Sequence, residues 1–228
     1  MADLRIAVCV PGDRWRSGFG YDVTNACITF AQARYMGGKK DIEVFSAQGS
    51  ILPEVRMSLV AEAADWGATH MLFLDDDMRF PRDVIQCLLR HNQPLVGANY
   101  SRRTHPIFTT AYKADKSGEL QTFPEDRDLI EVSHVATGCM LIDMRLFELI
   151  DLPFFAFKYD DEGKMCQGED VYFCHKVAAA GIPIYVDQEL SQHVKHIGDW
   201  EYDHSHANMV YAEREAARGK LETVTAPE

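Results

Sequence analysis

Three clusters of residues carry the chemistry this sequence can offer. The first is His70–Pro81, HMLFLDDDMRFP, in which four apolar residues lead into three consecutive carboxylates. Such a run reads as a buried strand, and in open α/β sheets ligands bind at the C-terminal ends of strands. Alternation along an extended chain sends Asp75 and Asp77 to one side and Asp76 to the other. Each carboxylate disfavours ionisation of its neighbours, and a hard divalent cation, Mn²⁺ or Mg²⁺, relieves that repulsion. The plainer alternative is a solvated acidic turn before the helix that opens at Pro81, although Asp83 already lies near that helix start.

The second cluster is Gln167–Cys174, QGEDVYFC. Glu169 and Asp170 fall in the first turn of a helix. There they either complement the helix dipole, worth roughly 0.3–1 kcal/mol each, or serve as a general base for an acceptor hydroxyl. Taken alone, the dipole is the stronger explanation. The third is Leu190–Gly198, LSQHVKHIG, where His196 gains meaning only beside the other two, as an imidazole completing a metal site. A rival grouping of His193, His196, His204, His206 and Cys174 around zinc fits no compact ligand spacing. Arg102, Arg103 and His105 form a local basic cluster that either contacts phosphate or is simply solvated. The aromatic run Phe154, Phe155, Phe157 and Tyr159 suits core packing at least as well as stacking on a sugar or base.

Alternating strands and helices must position these groups. Strands are expected at Arg5–Val10, Ile42–Ser46, Thr69–Leu74 and Leu95–Asn99. Helices fall between them at Asp22–Met36, Pro53–Trp66 and Pro81–His91, with prolines opening the last two and Gly67 closing the second. Strands separated by single helices imply a doubly wound sheet with parallel pairing through right-handed crossovers. Beyond residue 100 the pattern loosens into short strands at Phe108–Lys113, Leu120–Phe123, Ile130–Val135 and Cys139–Asp143. A short helix at Arg145–Ile150 and a loop over Pro153–Gly168 follow, the loop closing over a ligand. Then come a helix at Glu169–Ala180, a strand at Ile184–Val186, a terminal helix from Tyr202 to about Gly219, and a frayed TVTAPE tail.

The 228 residues suffice for one substantial domain, and 46% apolar with 25% charged residues is ordinary globular composition. The formal charge of −12 works against tight, non-specific coating of nucleic acid and against docking on an anionic leaflet. No apolar run approaches the ~20 residues of a membrane span. The MADLRIAVCV start reads as a strand rather than a signal peptide. Six scattered cysteines without a CxxC pair suggest buried thiols in a reducing compartment, hence a cytoplasmic protein.

In order, Val10-Pro11-Gly12, Arg56, Asp75-Asp76-Asp77, VGANYSRR (Val96–Arg103), ATGCMLI (Ala136–Ile142), Gly168-Glu169-Asp170 and the late His196-Ile197-Gly198 resemble a known pattern. The chain is similar to glycosyltransferases of the GT-A fold, near the family-two type and the small versions of bacteriophages and bacteria. The resemblance implies one α/β domain over residues 1–228, a Rossmann-like mixed sheet flanked by helices. Its nucleotide-binding half would span about 1–100 and its acceptor half about 101–220. It also implies transfer from a nucleotide-diphosphate sugar, most often a UDP-sugar, with Mn²⁺ or Mg²⁺. Asp77 and His196 would hold the metal, with Asp75 touching it through water or touching the ribose. Pro11, Arg56, Asp75, Asp76 and Gly138 would line the donor, and Asp170 or Glu169 would be the base. The hydroxyl acceptor stays open among a modified DNA base, a glycan and a small molecule; a membrane-bound one is disfavoured. Stereochemistry stays open as well. Two other readings remain: a nucleotide-sugar-binding protein without turnover, and a nucleotidyltransferase, for which Pro11–Gly20 is a poor phosphate loop.

Overall fold

The first apolar run forms β1 (Leu4–Pro11), in which Ile6, Ala7, Val8, Cys9 and Val10 are all buried. Both faces of this strand are covered, which is why its sequence is continuously apolar instead of alternating. In the computed structural model, which describes residues 3–12, 14–104, 106–198 and 201–225, β1 is followed by α1 (Ser17–Gln32), β2 (Lys40–Ala47) and α2 (Leu52–Trp66). Pro53 sits in the first turn of α2, and Gly67 ends it in the left-handed region at φ 77°. Next come β3 (His70–Leu74), β4 (Met78–Arg79), α3 (Val84–Leu89), β5 (Leu95–Gly97), β6 (Tyr112–Lys113), β7 (Leu129–His134) and β8 (Cys139–Asp143). After a 3₁₀ turn at Met144–Glu148 the chain forms β9 (Lys158–Tyr159), β10 (Met165–Gln167), α4 (Glu169–Ala179) and β11 (Ile184–Asp187). It ends with α5 (Gln188–Ser191), β12 (Lys195–Ile197), β13 (Glu201–Tyr202) and α6 (His204–Thr225).

Eight strands make one sheet in the order β2-β1-β3-β8-β5-β11-β7-β6. β1 pairs in parallel with β2 and β3, and β5 in parallel with β11. β8 is inserted antiparallel between β3 and β5, and β7 and β6 continue antiparallel at the far edge. This is a mixed, helix-flanked α/β sheet in a single domain, as the resemblance implies. The pleat divides the core: Ile6, Val8 and Val10 face Phe19, Phe30, Ile85 and Leu88 on one side, while Ala7 and Cys9 face Leu59, Phe73, Phe173 and Val177 on the other. Among the described residues no helix is long and apolar enough to cross a membrane.

Several expected elements come out differently. Leu120–Phe123 is not a strand, because Asn99 binds it instead. The Asn99 side chain donates to Leu120 O (2.8 Å) and Thr122 Oγ1 (3.2 Å) and accepts from Thr110 N (3.2 Å) and Ala111 N (3.0 Å). Its backbone N–H donates to Ser191 Oγ (2.8 Å), and its carbonyl lies 2.7 Å from His204 Nε2. The expected loop over Pro153–Gly168 contains an antiparallel hairpin, β9–β10, with Gly163 at φ 78° in its turn. Phe155 does not line a ligand: it packs on Phe73 and Phe173 in the core, while Phe154 lies against Phe147. The helix expected from Tyr202 runs from His204 through Thr225, and the last three residues of the expected frayed tail lie outside the described residues.

Asn99 satisfies buried backbone groups from two connections at once, so truncating it orphans several of them, each costing about 1–3 kcal/mol. Asn99→Ala is expected to lower unfolding free energy by about 3 kcal/mol or more in chemical denaturation. A loss near that of an ordinary surface substitution, within about 0.5 kcal/mol, contradicts this account.

Candidate active site

The three consecutive carboxylates do not alternate as they would in a strand. β3 ends at Leu74, and Asp75–Met78 is a turn closed by Met78 N donating to Asp75 O at 3.1 Å. The expectation that Asp75 and Asp77 share a side fails here because alternation holds only while the backbone stays extended. Each carboxylate instead has its own neighbours.

Asp76 lies against the end of β1, where a Cβ on Gly12 would overlap its carboxylate. The Pro11-Gly12 segment is fastened around it. Ser46 Oγ donates to Gly12 O (2.6 Å), Trp15 Nε1 donates to the same carbonyl (3.3 Å), and Arg16 Nη1 reaches Gly198 O (3.0 Å).

Asp77 meets His196 because β12 pairs antiparallel with β4, with His196 opposite Met78. Ile197 N donates to Asp77 O at 2.7 Å, and His196 Nε2 lies 3.3 Å from Asp77 Oδ1. On the other ring nitrogen, Nδ1 is 3.1 Å from Ser101 O. A carbonyl can only accept, so Nδ1 carries a proton; the Asp77 carboxylate also only accepts, so a hydrogen bond there needs a second proton, on Nε2, whose place a metal ion would take. Arg103 Nη2 holds Asp77 Oδ2 at 2.7 Å. Burial pushes the Asp77 carboxyl up, but the His196 hydrogen bond and charge, with Arg103, outweigh it and hold the group below the usual aspartate range.

Asp75 turns to a different partner. Arg56 on α2, 2% exposed, donates from Nη2 to Asp75 Oδ1 (3.0 Å) and from Nε to Glu169 Oε1 (3.4 Å), with its guanidinium 5.2 Å from the Phe73 ring centroid. Burial works to lower the Arg56 pKa, but the two carboxylates more than offset it. Arg56 Nη1 is buried without a hydrogen-bond partner. Arg56 is therefore not a residue that lines a nucleotide face, as expected from the sequence; it lies beneath the site and ties Asp75 to Glu169.

Gly138 also has a reason other than room for a sugar. Its N–H donates to the Tyr100 hydroxyl (3.1 Å), and a Cβ there would collide with that hydroxyl and lie 3.0 Å from Asp75 Oδ2. Tyr100 further sets its ring edge against His196, centroids 5.4 Å apart. It links the Asp75 side of the site to the His196 side, and it was missed because a tyrosine inside VGANYSRR carries no spacing signal.

Asp170 and Glu169 open α4 behind Gly168. Burial raises the pKa of both above the usual carboxylate range, more than Arg56 lowers either. Glu169 is paired with Arg56, whereas Asp170 accepts from Val171 N at 2.7 Å. Asp170 is thus the carboxylate with the freer side chain.

Among the described residues no set of three His, Cys, Asp or Glu side chains is gathered closely enough to hold a metal ion. Of the expected trio, Asp77 and His196 meet and Asp75 does not join them, because Arg56 holds it. Asp77 and His196 still offer one hard oxygen and one oriented imidazole nitrogen. That pair suits Mn²⁺ or Mg²⁺ when a ligand such as a diphosphate supplies further oxygens. The zinc grouping is dispersed: His204 is bound to Asn99 O, His206 to Asp203, and Cys174 Sγ to Val135 O. Within the basic cluster Arg103 reaches the site, and His105 lies outside the described residues.

No family model and no curated protein matches the sequence. Among solved structures the chain is similar to A197 from STIV, with a TM-score of 0.57 and 16% identity over 86% of this chain and 87% of that one. At that identity the likeness establishes the shared fold. An apo UDP-glucose pyrophosphorylase gives a TM-score of 0.46 at 9% identity, over 92% of this chain and 99% of that one, too low to carry an argument.

Removing Arg56 leaves Asp75 and Glu169 facing each other without a cation. Arg56→Met is expected to destabilise by about 3 kcal/mol, the low end for a broken buried pair because Asp75 is partly exposed. Adding Glu169→Gln should recover part of the loss in a double-mutant cycle. Strictly additive losses in denaturation contradict the shared charge balance.

Proposed function

We propose that this protein is a glycosyltransferase that moves a sugar from a nucleotide-diphosphate sugar, with uridine the favoured base, to a hydroxyl acceptor. The observation that carries this reading is the meeting of Asp77 and His196, 119 positions apart in the chain, at the C-terminal end of β3. Residues 1–100 would bind the nucleotide around Pro11, Gly12 and Asp76, and residues 101–220 would present the acceptor. A Mn²⁺ or Mg²⁺ ion held by Asp77 and His196 would act as a Lewis acid toward the diphosphate.

The protein's own residues do the remaining work. Ser101 O fixes the His196 tautomer, and Arg103 holds Asp77 in place while adding positive charge beside the diphosphate. Asp75, gripped by Arg56, is left to orient the donor through a ribose hydroxyl. Asp170 accepts the proton of the acceptor hydroxyl as its oxygen bonds to the anomeric carbon. The carbon–oxygen bond to the diphosphate breaks, and its electron pair leaves with the phosphate. Attack opposite the leaving group inverts the anomeric centre. Glu169 acts as the counter-charge of Arg56 and not as the base. The cytoplasm is the compartment that suits free thiols and nucleotide-sugars, and the acceptor is a glycan, a small metabolite or a modified DNA base. The −12 charge disfavours tight duplex binding.

Nucleotide-sugars screened by thermal shift with and without Mn²⁺ should reveal a stabilising donor, and that donor should be slowly hydrolysed. Asp77→Ala and His196→Ala should lose both effects. Asp170→Asn should keep donor stabilisation while turnover falls about 10²–10⁴-fold. Because the base acts deprotonated and burial raises the Asp170 carboxyl, turnover should climb with pH across a value above the usual aspartate range. Stabilisation without release of nucleoside diphosphate would indicate a binding protein. Pyrophosphate released from a nucleoside triphosphate would indicate a nucleotidyltransferase.

A further inference from the structure

In a chain whose formal charge is −12, one surface beside Asp170 is basic. It is assembled at the far edge of the sheet. β6 pairs with β7 so that Tyr112 lies opposite His134, and the two rings stack with centroids 4.5 Å apart. His134 meets His175 of α4 edge-on, 5.9 Å between centroids. On β10, Gln167 Nε2 donates to His175 Nδ1 at 2.6 Å, and the hairpin sets Gln167 opposite Lys158 on β9. An amide nitrogen only donates, so the neutral His175 ring carries its proton on Nε2, a hydrogen-bond donor on an exposed residue. The turn after β6, closed by Lys116 N donating to Lys113 O at 2.9 Å, adds Lys116. That lysine sits at φ 60°, in the left-handed region where glycine or asparagine is the ordinary choice.

The charges acting on these rings have one sign. Burial, then His175, Arg102 and Lys116, push His134 down to about 4, and burial, then Lys116 and Lys158, lower His175. Among the described residues no carboxylate offsets the cations at either ring. Arg102, Lys116 and Lys158 are exposed, and among the described residues none of them has an ion-pair partner. Carboxylates close by in sequence are turned to other donors. Asp115 accepts from Ser117 N (2.9 Å), Asp160 from Glu162 N (3.1 Å) and Lys164 N (2.9 Å), and Glu119 pairs with Arg214 (3.6 Å). Cations left unneutralised around a donor N–H call for an oxyanion. Lys116 acts on both rings, so the charges face one place and do not track a strand. That suits a phosphate monoester, which concentrates about −1.5 to −2 charges in one group, better than a row of singly charged diesters. Arg102 joins this place to the candidate base: burial raises the Asp170 carboxyl, and Val171 N, Arg56 and Arg102 oppose it. A phosphate held here leaves a hydroxyl of the same molecule on the Asp170 side.

We propose that Arg102, Lys116, Lys158 and His175 bind the phosphate of a small hydroxyl compound carrying a phosphate monoester, and that this compound is the acceptor, a role that rests on the transferase reading above. Glycerol 3-phosphate and the 6-phosphates of glucose, mannose and galactose test the binding, each titrated into the full chain without donor or metal and followed by amide NMR. At least one should give saturable shifts at residues 112–118, 133–134 and 158 and around His175, weakening as salt rises, and its unphosphorylated parent should give none. Lys116→Asn keeps a residue suited to the left-handed region, so the melting temperature should be equal or higher while binding weakens about two- to fivefold. Adding Lys158→Gln should bring the loss to about tenfold, and Asp77→Ala should leave binding unchanged. With the donor found by the thermal-shift screen, the bound compound should be glycosylated, and Lys116→Asn should raise its KM with little change in kcat. A chain that hydrolyses no donor overturns the transferase reading alone, because binding is measured without donor. The proposal is overturned if no monoester shifts these residues, if the neutral parent binds equally well, if an oligothymidylate takes the surface more tightly than every monoester, or if a chain that hydrolyses its donor leaves the bound compound unmodified.

Discussion

Two residues of antiparallel pairing, β12 on β4, hold the candidate site together. Nothing in the eight-stranded sheet requires the last third of the chain to return to the turn after β3. The backbone bond from Ile197 N to Asp77 O and the register that sets His196 opposite Met78 make it do so. Neighbouring contacts fasten the same crossing: Arg16 to Gly198 O, Arg103 to Ile197 O, and His196 to Ser101 O. A segment held through backbone atoms keeps its position whatever the side chains do, which leaves the imidazole free for chemistry.

Around that crossing the main difficulty is charge. Asp75, Glu169 and Asp170 lie near one another in a partly desolvated place, where burial and the neighbouring carboxylates make ionisation of Glu169 and Asp170 harder. The protein answers with two arginines in different roles. Arg56 is buried beneath and divides its charge between Asp75 and Glu169, while Arg103 approaches Asp77 from the exposed side. Among the described residues no cation touches Asp170 directly, and burial keeps its carboxyl protonated to higher pH than an ordinary aspartate. Asp77, held down by His196 and Arg103, and Asp170, held up by burial, are thereby given different affinities for a proton, which acid–base chemistry requires.

Much of the fold was legible because its signals are local. Proline and glycine marked both ends of α2, and continuous apolar runs marked β1 and β3. What the sequence hid was non-local. The placing of β8 between β3 and β5 depends on a chain reversal that no spacing announces, and β4 and β12 are too short to show any period. Asn99 displaced an expected strand at Leu120–Phe123 by supplying its hydrogen bonds from a side chain. Within the site, Asp77 and His196 could be paired in advance only through resemblance, and Arg56 could be noticed but not placed. A buried arginine and a surface arginine look alike until the carboxylates around it are known.

Tyr100 shows how these parts depend on one another. Its hydroxyl accepts from Gly138 N at the start of β8, and its ring meets His196 from β12. Its backbone follows Asn99, which holds the 109–122 region and, through His204, the start of α6. The 99–101 segment therefore touches the glycine beside Asp75, the imidazole beside Asp77 and the first residue of α6. Burial raises the Tyr100 pKa well above the usual tyrosine range, so the hydroxyl keeps its proton throughout the physiological range and adds no further negative charge to the carboxylates around it. A segment that is neutral, buried and hydrogen-bonded on several sides can join the two sides of a charged cleft without itself titrating.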